Sequence, residues 1–454
     1  MTVYFHTLGC KVNQYETQAM RALMEAEGYA TSEELFSGSP EVRAAMQDAA
    51  IVINSCTVTG ESDRKLRQLL RRCRREYPHA VLVLTGCMPQ AFPEIAESFG
   101  EADIVLGNAA RRQLPRHLHD FLIRRQRIVD IPAHEKAFEP LTIDEFQGRT
   151  RAFVKIEDGC DRFCSYCAIP LARGPVRSRP PGEITAEVRR LVFAGYREIV
   201  LTGINLSRYG SGWGSSLAEA AAACEEVPGD FRIRLGSVEP DLLSPADWDA
   251  LAAFPRLCPQ FHLALQSGCD ATLRRMNRHY TARQYLETVE GIRRRFSNPS
   301  VTTDLIAGFP GETEAEFEEC CRTVEAAGLL RGHVFEYSPR AGTAAAALPD
   351  QVPPAVKKER AKALVRLCRE SGRAFAQTQV GRTARVLLEA TGGGYTDNYL
   401  YVQVFPPGQV PHGAGGWIDV RLDRVVEGGC HGIPINTDCK TEKENEDGGI
   451  SCFH

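Results

Sequence analysis

The sequence predicts an α/β protein in three parts: an N-terminal open parallel-sheet domain, a central partial (β/α)6 barrel and a small C-terminal antiparallel β-barrel. Three observations carry this reading. Short apolar runs alternate with amphipathic helical stretches over residues 1–131, the alternation repeats six times between 150 and 378, and from 379 it yields to short β runs broken by glycine and proline. At 454 residues the chain exceeds one ordinary domain. Its net charge is -4, so no basic excess advertises nucleic acid, and such a partner would be met by local patches. Sixteen cysteines, with no basic-then-apolar leader in MTVYFHTLGCKVN, suggest a reducing, cytoplasmic setting with thiols used for metal or redox chemistry. No run approaches the roughly 18 apolar residues of a membrane-spanning helix, so no membrane partner is expected.

In the first domain, strands are expected over 3–6, 51–53, 81–84 and 103–106, with a helix over 16–27 stopped by Gly28. Cys10, Cys56 and Cys87 each follow one of the first three strands. In an open α/β sheet the carboxyl ends of the strands form one ligand-binding edge, so these thiols, distant in sequence, converge there. Packing as small hydrophobes is the other reading of a cysteine, and it is the one adopted for Cys73, Cys224, Cys258, Cys320, Cys321 and Cys368. Gly9, Ser55 and Gly86, however, mark turns, where a core cysteine is less expected. A helix over 63–76 carries Arg64, Lys65, Arg67, Arg71, Arg72, Arg74 and Arg75; a second cluster holds Arg111, Arg112, Arg116, Arg124, Arg125 and Arg127. Each is either a solvated face or part of a phosphate-backbone patch.

Residues 132–149 lack a period and read as a linker. Beyond them, strands are expected over 153–156, 198–202, 233–238, 262–266, 301–307 and 333–337, with helices such as 184–194, 280–296 and 314–327. Six βα units fall short of the eight that close a full barrel, so the expected form is open, with its active face at the strand C-terminal ends. The first strand runs into FVKIEDGCDRFCSYCAIPLARGPVRSRP, where Cys160, Cys164 and Cys167 stand in a C-x3-C-x2-C spacing. Three soft ligands this close select zinc or an iron–sulfur cluster. A cubane has four iron corners, and three thiolates leave one open for a non-protein ligand, which suggests catalysis. A structural zinc site would close with a fourth Cys or His, and no suitably spaced partner lies nearby. The later strand ends contribute Gly203, Asn205, Glu239, Gln266 and Asp304, the last ahead of GFPGE. Turn chemistry explains any one of them; together on one face they describe a pocket.

The C-terminal region holds a helix over 353–378 and β runs over 384–389, 399–404 and 416–422, which read as a small barrel over 379–428. It is not basic, and Tyr395, Tyr399 and Tyr401 are its candidates for base stacking, with core packing the expected use of at least one of them. Residues 429–454 are polar and acidic and are expected to be disordered. Cys430, Cys439 and Cys452 with His431 and His454 form a remote metal-site candidate.

The C-x3-C-x2-C loop, with Tyr166 just before its last cysteine, resembles the signature of the radical S-adenosylmethionine (SAM) enzymes. LTGINLSRYG, SVEP, HLALQSG, LRRMNRHYT, DLIAGFPGET and EYSPRAGT resemble consecutive blocks of the methylthiotransferases, and GC, NSCTVT and TGCMPQ match that family's N-terminal cysteines at Cys10, Cys56 and Cys87. The match spans residues 2–428. The resemblance implies two 4Fe–4S clusters, one on Cys160, Cys164 and Cys167 whose open iron binds SAM, the other on Cys10, Cys56 and Cys87. It sets Tyr166 against the adenine of SAM and makes the last barrel a TRAM-like RNA-binding appendage. The implied reaction replaces a carbon–hydrogen bond with a methylthio group. Reductive cleavage of SAM makes a 5′-deoxyadenosyl radical that abstracts the hydrogen, and a methylated sulfur from the second cluster joins the substrate. A donor such as flavodoxin or ferredoxin supplies electrons. TLGCKVNQYET and TDNYL resemble the branch acting on N6-threonylcarbamoyladenosine at position 37 of tRNA. The isopentenyladenosine branch and the branch modifying an aspartate of ribosomal protein S12 are alternatives, and a non-catalytic zinc-bearing RNA-binding scaffold is a reading of another class.

Overall fold

The computed structural model describes residues 1–36, 46–143, 146, 150–406 and 415–435. The first domain is a six-stranded parallel sheet in the order β2-β1-β3-β4-β5-β6, built from β1 (Thr2–Thr7), β2 (Ala30–Ser32), β3 (Ala50–Ser55), β4 (Val81–Gly86), β5 (Ile104–Leu106) and β6 (Ile128–Asp130). β3 and β4 are buried along their whole length, as continuous apolar runs in a doubly covered sheet must be. β2 and β6, three residues each, were not expected: a strand that short has no readable alternation. The helix expected over 16–27 begins earlier and spans Lys11–Ala26, with Cys10 at its N-cap. The arginine-rich helix spans Gly60–Glu76, its first turn closed by the Thr59 side chain accepting from the Ser62 N–H.

The central domain opens with β7 (Ala152–Lys155). β8 (Glu157–Asp158) and β9 (Arg177–Ser178) pair antiparallel and pinch the base of the Cys160 loop. β10 (Glu198–Thr202) lies between β7 and β11 (Arg232–Leu235), while β12 (Ser237–Val238), β13 (Gln260–Leu263), β14 (Ser300–Ala307) and β15 (Arg331–Glu336) follow in order, every pairing parallel. β11 and β12 are one expected strand broken at Gly236, so the six expected units are present as an open, curving wall. One face of that wall, with Ile199, Leu201, Ile233, Val301, Leu305 and Ala307, packs against helices such as Ala282–Arg295 and Glu314–Ala327. The first domain stands against β7, where the Tyr15 hydroxyl donates to the Leu141 carbonyl at 2.7 Å. Leu141, Ile143 and Phe146 are buried in the central core, so the described part of the expected linker is pinned to the core.

The C-terminal barrel closes in the order β16-β17-β18-β20-β19, from β16 (Thr383–Leu388), β17 (Gly393–Tyr395), β18 (Tyr401–Gln403), β19 (Trp417–Val426) and β20 (Gly429–Pro434). β20 corrects the expected boundary at 428. It pairs with both β18 and β19, and that pairing, rather than any local pattern in GCHGIP, makes it a strand. Cys430 is accordingly buried in the barrel core and leaves the tail metal-site candidate, whose Cys439, Cys452 and His454 lie outside the described residues. Tyr395 and Tyr399 are placed by packing, the second of the two uses expected of them. Their rings stack at 4.6 Å, with Arg151 and Arg234 over Tyr399, so they serve the contact with the central domain. Among the described residues no helix is long and apolar enough to cross a membrane.

Candidate functional site

The strand order of the first sheet reverses between β1 and β3, and a crevice at such a switch point is where open α/β sheets bind ligands. Cys10 follows β1, Cys56 directly follows β3, and Cys87 begins the short helix Cys87–Ala91 directly off β4. Their thiols gather about Asn13. The Cys10 and Cys87 sulfurs lie 3.6 and 3.8 Å from its Oδ1, while its Nδ2 donates to the carbonyls of Leu8 and Ser55 at 3.0 and 2.9 Å. Gly9 has φ 117°, and a Cβ there would stand 2.8 Å from the Cys56 Cβ, so a glycine is needed for the Cys10 turn to approach Cys56 this closely. Burial pushes the Cys87 thiol up to about 12, the Arg173 cation pulls against it, and Cys56 and Cys10 push it further. Burial also raises Cys56, opposed by the Val58 N–H. Thiols held this way give up their protons when a metal takes their place.

The second trio is held by backbone contacts. The Cys160 N–H donates to Gly174 O at 3.1 Å, the Cys167 N–H to Cys164 O at 3.0 Å, and the Ser165 N–H to Met276 O at 3.0 Å. Each sulfur has a donor of its own: Asn205 Nδ2 at 4.0 Å from Cys160, an Arg278 guanidinium nitrogen at 3.3 Å from Cys164, and the Ile169 N–H at 3.4 Å from Cys167. Such donors stabilise thiolates. Burial pushes Cys160 to about 11 and Cys167 to about 12. Near Cys160, the Asn205 Oδ1 and Glu157 Oε1 atoms are buried without a partner, which leaves hydrogen-bonding capacity for a bound group. Among the described residues no three His, Cys, Asp or Glu side chains gather to hold a single metal ion.

Of the other expected residues, Tyr166 lies in the Cys160 loop and Gly203, Asn205 and Glu239 border it. The Tyr166 ring stands edge-on to Phe309 at 6.3 Å, in an apolar cluster with Met276 and Tyr337. Gly203 makes room for Glu157, whose Oε2 would lie 2.6 Å from a Cβ there, and the Asn205 N–H donates to that same oxygen at 2.7 Å. Glu239 pairs with Arg278, Oε1 at 3.1 Å. Gln266, with φ 63°, bridges the backbone of β14, accepting from Ile306 N–H at 2.8 Å and donating to Asp304 O at 2.9 Å. Asp304 is corrected in position. It lies mid-strand and pairs with His262 Nε2 at 3.3 Å, deeper in the barrel than the mouth, because β14 runs on to Ala307 before turning.

Sequence reasoning missed the buried charges between the two trios. Glu16 lies against the guanidinium groups of Arg173 and Arg111, and the Lys155 ammonium donates to it at 2.8 Å; Lys155 also pairs with Asp158 at 2.7 Å. Arg173 further donates to Asn13 Oδ1 at 2.7 Å, so one guanidinium on the helix after the Cys160 loop holds the amide around which the other trio gathers. Burial alone would raise the Glu16 carboxyl, but the three cations outweigh it and hold it well below the carboxylate range. Arg111, only 2% exposed, is thereby removed from the surface patch expected of it. A glutamate within a mixed helix carries no local mark of this role.

Comparison with known proteins agrees with this geometry. The radical SAM superfamily pattern matches residues 154–324, and the Uncharacterized protein family UPF0004 matches residues 2–107. The Threonylcarbamoyladenosine tRNA methylthiotransferase MtaB of Thermotoga maritima is 38% identical over 88% of this chain and 90% of its own length, and that of Bacillus subtilis is 37% identical over the same shares. The tRNA-2-methylthio-N(6)-dimethylallyladenosine synthase of Clostridium botulinum is 32% identical over 86% of each. Among solved structures, the radical S-adenosylmethionine methyltransferase TsrM from Kitasatospora setae aligns with a TM-score of 0.54 at 14% identity, covering 73% of this chain and 72% of that one, a likeness of fold. With relatives above 30% identity along nearly their full length, the chain belongs to the tRNA methylthiotransferase family of radical SAM enzymes.

Proposed function

We propose that this protein adds a 2-methylthio group to N6-threonylcarbamoyladenosine at position 37 of tRNA, giving 2-methylthio-N6-threonylcarbamoyladenosine. The observation that carries the reading is the pair of three-cysteine sites joined through Arg173 and Asn13. The substrate branch rests on the relatives of higher identity, whose printed names carry it.

Cys160, Cys164 and Cys167 would hold a 4Fe–4S cluster that, with SAM, would supply one-electron chemistry, and Cys10, Cys56 and Cys87 would hold a second 4Fe–4S cluster that would supply sulfur. The protein's own groups prepare the site. Arg278 neutralises the Cys164 thiolate and pairs with Glu239, so that the carboxylate and the thiolate share one cation. Burial raises the Glu157 carboxyl well above its usual range, and its Oε1 and the Asn205 Oδ1 are both buried without a partner. Those two groups suit the polar amino-acid end of SAM. Tyr166, Phe309 and Met276 wall the other side with apolar surface that excludes water. Exposed arginines of the first domain face the tRNA backbone, a flavodoxin or ferredoxin delivers electrons, and a cytoplasmic setting keeps the thiols reduced.

Nucleoside analysis of tRNA from a strain lacking this gene is the test. The methylthio-threonylcarbamoyl nucleoside should disappear while the methylthio-isopentenyl nucleoside persists; the opposite pattern assigns the other branch. Anaerobic reconstitution should give about eight irons per chain, and zinc alone would sink the enzymatic reading.

A further inference from the structure

We propose that the recess between the first domain and the inner face of β14 and β15 is a carboxylate subsite, in which Lys11, Arg331 and His333 read the threonylcarbamoyl group of the substrate. The proposal rests on the function given above and adds to it the residues that choose the branch.

The register of the wall sets the site. Thr302 stands opposite Arg331, Asp304 opposite His333 and Ile306 opposite Phe335, so these side chains share one face. It is the inner face, since Val301, Leu305 and Ala307 point into the helix-covered core. This inner face is left open: His333 is exposed, and Phe335 keeps 43% of its surface accessible. The face also grades along its length. Ile306 and Phe335 give apolar surface near the Cys160 loop, and His333 and Arg331 give donors deeper in. Lys11, the residue after Cys10, is exposed and enters the same space from the first domain, within electrostatic reach of Asp304 and His333.

The charges there do not balance. Asp304 is engaged by His262, and Glu198 by Arg232 and Arg234. Among the described residues neither Lys11 nor Arg331 forms an ion pair with a carboxylate; Glu198 and Asp304 act on Lys11 only from a distance, and Arg331 lies over the Tyr399 ring at 5.9 Å. Arg331 is half-buried without a contacting counter-ion, a costly arrangement that an anionic ligand offsets, and the exposed Lys11 ammonium adds to the attraction for that ligand. The candidate nucleosides differ in this feature. A threonylcarbamoyl group ends in a free carboxylate beside a hydroxyl, whereas an isopentenyl group is a neutral hydrocarbon. A purine presented to the Cys10 trio brings its ring against Phe335 and Ile306, where stacking is favoured, and its N6 substituent beside Lys11.

The test measures binding of fluorescent anticodon stem–loops carrying at position 37 either N6-threonylcarbamoyladenosine or its methyl ester, to the reconstituted enzyme and its variants. The wild type should prefer the free acid by about tenfold or more, the scale of a charge-assisted hydrogen bond. Lys11→Met and Arg331→Met should each bring that ratio towards one, and Lys11→Arg should restore it. Because the ratio is taken within each variant, partial loss of folded protein does not move it. Arg331 is also remote in sequence from every cluster cysteine. Equal wild-type affinity for acid and ester, or a full ratio kept in both Met variants, overturns the subsite. A wild-type enzyme that fails to methylthiolate the free-acid stem–loop at all overturns the underlying function instead.

Discussion

Asn13 and Arg173 couple the two cysteine trios at the level of single atoms, and the proposed function gives the trios separable roles. Replacing Cys160, Cys164 or Cys167 with Ala should abolish formation of 5′-deoxyadenosine from SAM. Replacing Cys10, Cys56 or Cys87 should leave that cleavage in place and stop methylthio product. Chromatography of both products on one reaction decides it, and methylthiolated tRNA from a Cys56→Ala enzyme would contradict the division. Glu16 offers a second check. With Arg111, Arg173 and Lys155 around it, Glu16→Gln leaves buried cations under-compensated and should cost about 3–5 kcal/mol at neutral pH. Its folded pKa lies well below the usual 4.5, so the contribution is complete above 4.5 and is lost as the pH falls towards the lower folded value. Denaturant titrations of wild type and variant should therefore converge in acid. A gap independent of pH would mean that the carboxylate charge is not what Glu16 contributes.

At the scale of elements, the arginine-rich helix Gly60–Glu76 divides its charges. Arg74 is spent internally, donating to Ala80 O at 3.0 Å and Glu101 O at 2.8 Å and pairing with Asp103. Arg127 likewise binds the carbonyls of Ala102 and Glu97. Arg71, Arg75 and Arg116 instead keep 72%, 73% and 77% of their side chains exposed in loose surface pairs that contribute little. These three suit a phosphate backbone. Reversing them to Glu should weaken tRNA binding and shrink the salt dependence, by a slope of about one per lost contact. Fluorescence anisotropy across a potassium chloride series reads both, with iron content expected to hold. Unaltered affinity would dismiss the patch. A charge run in sequence shows only composition; which arginines reach a carbonyl depends on loops tens of residues away.

For the whole molecule, the C-terminal barrel is a plug as well as an appendage. Its turn after β17 meets the central wall at the N-terminal ends of its strands, where Arg232 and Arg234 donate to the carbonyls of Tyr395 and Asp397 at 2.9 Å each and Ser300 donates to Asn398 O at 2.5 Å. Truncation after Gln379 should therefore strip the buried Arg232 and Arg234 of these carbonyl partners, leaving them only Glu198 and Gln260, lower the melting temperature of the central domain and open it to protease. A truncated chain melting with the full-length protein would show that the barrel is dispensable to the fold. The sequence by itself determined the three-part architecture, the C-x3-C-x2-C loop and the convergence of Cys10, Cys56 and Cys87, because local periodicity, short covalent spacing and the strand-end rule need no knowledge of distant partners. Only the tertiary structure decided that β20 closes the barrel, that Asp304 sits deep, that Arg111 is buried and that Lys11 enters the central recess. Each of those depends on pairing or burial between residues far apart in the chain, and no local pattern records that.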